Sequence, residues 1–183
     1  MKAVVLKEPG SAENMEVREI ETPTATAGHV VVKVHACGVG YRDIIDRRGG
    51  QGFIFTPIVL GHEFAGEIVE VGEGIKRWRV GDRVLNLYHD FCGICDHCLG
   101  GDERRCVNIR EIFGLTVNGG YAEYVLANER ALEALPVEIP YDTAATLMSA
   151  TGVGFHNTAN TAGVRMGEDI LVTGATGGGR QTH

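Results

Sequence analysis

The amino-acid sequence predicts a mostly β fold over residues 1–140, closed or partly closed into a barrel, followed over residues 141–183 by the opening of an α/β unit. Three observations point there. Short runs rich in β-branched residues, separated by glycine turns, recur over residues 1–135 with little helical periodicity, and the chain holds 26 glycines to make such turns. Four of the five cysteines fall within residues 92–106, where the chain lacks any period. After Pro140 a helical pattern leads to a short apolar run and then a glycine-rich turn, which is how a dinucleotide-binding βαβ unit begins.

In chain order, residues 2–7 read as a first strand closed by the turn signal Pro9-Gly10, and Met15, Val17 and Ile20 continue a strand-like segment up to Pro23. The run Val30-Val31-Val32-Lys33-Val34 makes His29–Ala36 a core strand. The period then changes. Over Tyr41–Arg48, Ile44 and Ile45 share one side while Arg42, Asp43, Asp46, Arg47 and Arg48 take the other, as in a short helix ended by Gly49-Gly50. Phe64–Val71 is a strand ending at Gly72-Glu73-Gly74, and Val80-Gly81-Asp82 turns into a strand over Val84–Leu87. Gly119-Gly120-Tyr121-Ala122-Glu123-Tyr124-Val125 is a turn and then a strand. Tyr141–Ala162 reads as a helix with Asp142 as N-cap and a break near Gly152-Val153-Gly154, and Asp169–Thr173 reads as a short buried strand entering Gly174-Ala175-Thr176-Gly177-Gly178-Gly179.

The stretch from His89 to about Arg110 is long for a loop inside a compact domain and needs an internal staple. Cys92, Cys95 and Cys98 follow one another at two-residue gaps, and Cys106 comes after a short interval. Each gap folds into a tight knuckle, so the sulfurs turn toward one centre, the arrangement that tetrahedral Zn²⁺ takes with four thiolates. Four thiolates leave no position open for water, so this is a structural zinc. A disulfide framework suits a short secreted chain, and the N-terminal run Met1–Lys7 is too short for a secretory apolar region. Arg104, Arg105 and Arg110 are placed to offset the charge on the thiolates, and His97 reads as a solvent-facing residue rather than a ligand.

The net charge of −7 and pI near 5.5, with no basic run, argue against nucleic acid as a partner. No apolar stretch reaches bilayer length, and the expectation is a cytoplasmic protein without membrane contact.

Taken in order, Gly61-His62-Glu63 with Ala65-Gly66, Val69-Glu70-Val71-Gly72, Val80-Gly81-Asp82-Arg83-Val84, the four cysteines, Gly119-Gly120-Tyr121-Ala122-Glu123 and Val172-Thr173-Gly174-Ala175-Thr176-Gly177-Gly178 resemble the zinc-containing alcohol dehydrogenase group of the medium-chain dehydrogenase/reductase superfamily. The resemblance runs to Gly178, after which Gly179–His183 departs from it. It implies a GroES-like, partly open β-barrel over residues 1–140, then the first helix and strand of a truncated Rossmann coenzyme domain over residues 141–183. It further implies NAD or NADP as coenzyme, with Gly174, Gly177 and Gly178 as an incomplete phosphate-binding turn.

The family's second, catalytic zinc is where the sequence departs from the resemblance. Alcohol-oxidising members look like Cys-Gly-Val-Cys-His-Thr-Asp around the first ligand, whereas here the run is Cys37-Gly38-Val39-Gly40-Tyr41-Arg42-Asp43, with Gly40 at the thiolate position and Arg42 at the relay hydroxyl. Ser149 falls at a further cysteine ligand, leaving His62 with Glu63 beside it. One histidine and one carboxylate are a poor cage for a Lewis-acidic metal. Cys37 reads as a small core residue, Asp43 as a structural hydrogen-bonding group, and Tyr41 and Arg42 either as a solvated helix start or as replacements for the relay.

Branches that have lost this metal look like quinone and enoyl reductases, and those that keep the cysteine loop look like acrylyl-CoA reductase. The resemblance therefore implies hydride transfer from NAD(P)H to an activated C=C of a small-molecule substrate, with His62, Glu63, Tyr41 and Arg42 as candidate catalytic residues. Two alternatives stand beside it: a zinc-dependent alcohol dehydrogenase, and a non-catalytic zinc-stapled fragment. The resemblance calls for more coenzyme domain than 183 residues supply, so the chain alone is expected to be inactive. An exposed strand edge in residues 141–173 is expected to drive self-association.

Overall fold

The computed structural model describes residues 1–50 and 54–173. Its strands are β1 (Lys2–Leu6), β2 (Met15–Glu19), β3 (His29–Cys37), β4 (Ile58–Val59), β5 (Phe64–Val71), β6 (Arg83–Asn86), β7 (Tyr124–Asn128) and β8 (Leu132–Ala134). They form two antiparallel sheets, ordered β2-β1-β4 and β7-β3-β5-β6-β8. The valine run of β3 lies at the centre of the larger sheet, where Val30, Val31 and Val32 are all buried, and Val32 pairs with Ile68 on β5. Burying such side chains on both faces contributes about 1.5–3 kcal/mol each, which is why a run without alternation still forms a strand. The core continues through Phe64, Phe113, Trp78, Val84 and Leu132, with Phe64 and Phe113 edge to face at 5.1 Å.

Residues 119–122 join the two sheets into a partly closed barrel. Gly119 and Tyr121 donate to the carbonyls of Val59 and Leu60, and Val4 donates to Tyr121 O at 2.8 Å. The approach is so close that a β-carbon on Gly119 would lie 2.1 Å from Gly61 O, so only glycine fits. The short helix α1 (Tyr41–Arg47) ends before Gly49, whose φ of +80° reverses the chain, as the sequence predicts. β4 and β8, with two and three residues, carry too little pattern to be read from sequence.

The cysteine stretch is less irregular than expected. It contains a single helical turn, α2 (Asp96–Leu99), and a 3₁₀ turn over Glu103–Arg105. Its stem is closed where His89 bridges Ile112 and Asp90 N–H donates to Glu111 O.

Three expectations after Pro140 are corrected. Pro140 itself is the N-cap of α3 (Tyr141–Ala144), while Asp142 sits in the first turn and accepts the Thr143 N–H at 2.7 Å. Gly152–Gly154 does not break the helical arm. Those residues lie in α4 (Gly152–Phe155), flanked by π-helical segments over Leu147–Thr151 and His156–Thr161 that absorb the irregularity by widening the turn. Asp169–Thr173 forms no strand: Ile170, Leu171 and Val172 are 51%, 91% and 62% exposed. A strand of this kind is hydrogen-bonded only by neighbouring strands, and the described residues offer it none. The glycine turn at Gly174, Gly177 and Gly178 lies outside the described residues.

Candidate functional site

Two centres stand out, the cysteine lobe and a buried cluster around Asp43. In the lobe, the sulfurs of Cys92, Cys95, Cys98 and Cys106 all lie within 4.8 Å of one another, with Cys92 to Cys98 at 3.9 Å and Cys95 to Cys98 at 3.5 Å. A tetrahedron of thiolates at about 2.3 Å from zinc has edges of about 3.8 Å, so the four sulfurs fit that metal. All four are free of disulfides. Backbone amides point at them: Cys92 N–H donates to Cys106 Sγ at 3.3 Å, Cys95 N–H to Cys92 Sγ at 3.4 Å, and Asn108 N–H to Cys106 Sγ at 3.4 Å.

Backbone amides and burial split the thiols electrostatically. The N–H groups of Ile94 and Cys95 pull Cys92 down to about 6 against the cost of burial, whereas burial pushes Cys98 up to about 12. A divalent cation removes that conflict by compensating several thiolates at once.

Of the three arginines expected to offset this charge, one is already paired. Arg104 is engaged by Asp102 at 2.7 Å, and Arg105 and Arg110 make no ion pair among the described residues. Arg130, from the turn after β7, reaches Asp90 at 3.3 Å and the Cys92 carbonyl at 3.4 Å, so it ties the lobe to the barrel through oxygens and not through the sulfurs. His97 stays outside the sulfur cluster.

The second centre is organised by Asp43 on α1, which is 5% exposed. Its Oδ1 accepts from His62 Nδ1 at 3.1 Å and Gly61 N–H at 3.2 Å, and its Oδ2 from Gly40 N–H and the Tyr121 hydroxyl, both at 2.9 Å. The Gly40 bond is half of a capping box and orders the start of α1. Burial alone would raise the carboxyl's pKa; the His62, Tyr121 and Gly40 donors outweigh it and hold Asp43 below the ordinary carboxylate value. Burial, then the Asp43 charge, raises the Tyr121 phenol, which therefore stays a neutral donor. With Nδ1–H committed to Asp43, His62 presents Nε2 as its open nitrogen, 3.8 Å from Glu63 Oε1.

Asn86 supports this pair from below. Fully buried, it accepts from Phe64 N–H at 2.6 Å and donates to His62 O at 2.8 Å, so its side chain brackets the backbone of Glu63. The structure brings together His62 and Glu63 but not Tyr41 and Arg42. Tyr41 is 49% exposed, and the Arg42 guanidinium is bound by Asp46 at 2.7 Å and lies over the Tyr88 ring. Tyr88 in turn meets His62 edge-on at 5.4 Å. Asp43 as a hub, Tyr121, Tyr88 and Asn86 went unrecognised as site residues. The one local signal among them is Asn86, a polar residue set between Leu85 and Leu87.

The profile of the alcohol dehydrogenase GroES-like domain matches residues 26–137. The chain belongs to that family. This GroES-like protein is 36% identical over 178 residues to the acryloyl-coenzyme A reductase of Metallosphaera sedula, covering 97% of the chain and 52% of the relative. It is 34% identical over 179 residues to an alcohol dehydrogenase of Geobacillus stearothermophilus, with the same coverage. Among solved structures, AibC superposes with a TM-score of 0.92 at 42% identity, covering 97% of this chain and 50% of that one. A cobalt- and zinc-bound thermostable alcohol dehydrogenase from Pyrobaculum aerophilum superposes with a TM-score of 0.86 at 33% identity, covering 97% and 53%. The chain spans about half the length of the curated relatives it matches. No helix among its described residues is long and apolar enough to cross a membrane.

Among the described residues, His62 and Glu63 gain no third metal donor. A β-carbon on Gly40 would lie 3.3 Å from His62 Nε2, so the position where alcohol-oxidising relatives are expected to carry a thiolate adjoins the open nitrogen but offers no donor. Cys37 does not replace it: its sulfur is packed between Gly61 and Gly120, and burial, with Asp43 nearby, pushes its thiol up to about 12. Among the described residues the four-cysteine cluster is the one grouping of three or more metal donors.

Proposed function

We propose that this chain is the N-terminal, substrate-side part of an NAD(P)-dependent medium-chain oxidoreductase that reduces an activated C=C, stapled by one structural zinc at Cys92, Cys95, Cys98 and Cys106. The observation that carries the reaction type is the donor-free Gly40 beside His62 Nε2. Without a thiolate there, the site is built for hydrogen bonding and proton handling rather than for polarising an alkoxide. The nicotinamide, when bound, supplies the hydride; its glycine turn at Gly174, Gly177 and Gly178 belongs to a second unit beginning at Tyr141.

In this reading Asp43 fixes the His62 tautomer, and His62 Nε2 holds the proton that the substrate's α-carbon or carbonyl oxygen takes up. Glu63, 3.8 Å away, stabilises the protonated ring between turnovers. Tyr41 offers an exposed ring to the substrate, and Arg42 acts on the site through Tyr88. The similarity to alcohol dehydrogenases favours a second reading, zinc-dependent alcohol oxidation. For the 183 residues alone the reading is a non-catalytic, zinc-bound domain that self-associates through residues 141–173.

Metal analysis and coenzyme titration test these readings. One zinc per chain and no saturable micromolar NADH or NADPH binding by the 183-residue chain are the expected results. Two zincs would transfer the case to alcohol oxidation, and enhanced fluorescence of bound nicotinamide would overturn the non-catalytic reading. In a chain carrying the complete coenzyme unit, His62→Ala is expected to depress reduction of a 2-enoyl thioester by about 10²–10⁴-fold, the range of a lost general acid. An undiminished rate would remove His62 from the chemistry.

A further inference from the structure

The helical arm over residues 141–161 is held to the β domain at two separated points. Its root is packed by the burial of Ala144 and Ala145 and by Tyr141, whose ring stacks on His35 at 4.4 Å with Arg83 over it, also at 4.4 Å. Farther along, Arg104 from the cysteine lobe donates through a terminal guanidinium nitrogen to His156 Nε2 at 2.8 Å.

Chemistry fixes the direction of that second contact. Arginine is always a donor, so Nε2 must accept, and the ring is neutral with its proton on Nδ1. The Asn160 amide nitrogen Nδ2 lies 2.9 Å from Nδ1; a flip of the amide, whose two ends are nearly the same size, places its oxygen there to accept that proton. On the other side Asp102 accepts from Arg104 Nε at 2.7 Å. Asp102 is itself placed by the lobe: its N–H donates to His97 O, and its carbonyl accepts from Arg105 N–H. The chain Asp102, Arg104, His156, Asn160 therefore runs from between Cys98 and Cys106 into the arm's second π-helical segment.

We propose that Arg104 braces the helical arm through His156, so that order in the metal lobe is transmitted to the first helices of the following unit. The lobe then has a task beyond its own stability: it sets where the arm, and whatever is built on it, stands relative to the barrel. This rests on the lobe and arm alone and not on which reaction the enzyme performs.

Amide hydrogen exchange on the zinc-loaded chain tests the brace. Arg104→Ala and His156→Ala are each expected to speed exchange over residues 152–161 by about threefold, the effect of one exposed charge-assisted contact, while exchange in β3 and β5 and the zinc content stay unchanged. The double variant should show no further change, since both lose the same bond. His156→Gln keeps an acceptor within reach of Arg104 and is expected to restore slow exchange. Chelating the zinc should speed the same amides in the unaltered chain and not further in His156→Ala. Unchanged exchange in both alanine variants would overturn the brace, as would His156→Gln exchanging as fast as His156→Ala. Should Arg104→Ala shed zinc, the two His156 variants decide, because His156 lies outside the lobe.

Discussion

Gly40 lies against the imidazole of His62: a β-carbon at position 40 would sit 3.0 Å from Cε1 and 3.3 Å from Nε2. The backbone there is extended, with φ −84° and ψ 157°, so a side chain is conformationally permitted. Gly40→Cys is therefore expected to bring a thiol beside His62 Nε2 and Glu63, completing three donors with an open position. Cobalt substitution should reveal it as a second metal per chain with a thiolate-to-metal absorption band. The close contact should cost about 1 kcal/mol of stability in urea unfolding. A metal content that stays at one would show that a thiol at position 40 does not complete a metal site with His62 and Glu63.

Asp43→Asn removes the carboxylate to which four donors converge. An amide side chain cannot accept from all of them, and a buried donor left unmade costs about 1–3 kcal/mol, so denaturant unfolding should register a loss of that order. The pH dependence has a defined sign. Asp43 is depressed in the folded state, so its contribution is fully present above its unfolded value, near 3.9, and drains away as pH falls through the lower folded value. The unaltered chain should therefore lose stability more steeply than Asp43→Asn on acidification below about pH 4. Asp46 works oppositely, because burial raises it, and parallel acid limbs in the two proteins would mean that Asp43 is not depressed.

Cys98→Ser, or removal of zinc, is expected to open the lobe over residues 89–112 and leave the barrel folded. The lobe's buried contacts are chiefly the cysteines themselves with Phe91, whereas the barrel core of Val30, Val32, Phe64 and Ile68 is separate. Exchange should become fast in the lobe and stay slow in β3 and β5. Global unfolding of the variant would refute the separation.

Deleting residues 164–183 is expected to shift the chain toward monomer with its zinc retained. Met166, Leu171 and Val172 are 103%, 91% and 62% exposed, and apolar side chains so placed are covered at low cost by a second copy across a two-fold axis. Light scattering that already reports a monomer at high concentration before the deletion would end that proposal.

Some of this was open to reading along the chain because its cause is local. The four cysteines lie within 15 consecutive residues, so their spacing alone brings the sulfurs together. The valine run of β3 and the strand of residues 64–71 likewise depend on neighbours in sequence and were legible, whereas α1 was legible as a helix but not in what it buries, which is Asp43 and Asp46 rather than an apolar face. The N-cap was expected two positions too late, at Asp142 instead of Pro140, since proline and aspartate both suit a helix start and only the backbone distinguishes them. The apolar run Ile170-Leu171-Val172 looked like a strand, but a strand is made by its partners, and composition does not say whether they are present.

The site around His62 was decided by tertiary structure. Tyr121 and Asp43 are 78 residues apart, and Asn86 and Phe64 are 22 apart. Tyr121 reaches Asp43 because residues 119–122 zip the small sheet to the large one, and Asn86 faces the backbone of Glu63 because β6 pairs with β5 in one particular register. A shift of one residue in either register would turn those side chains to the opposite face. Such contacts follow from how sheets are ordered and closed, a property of the folded barrel that no local pattern of residues encodes.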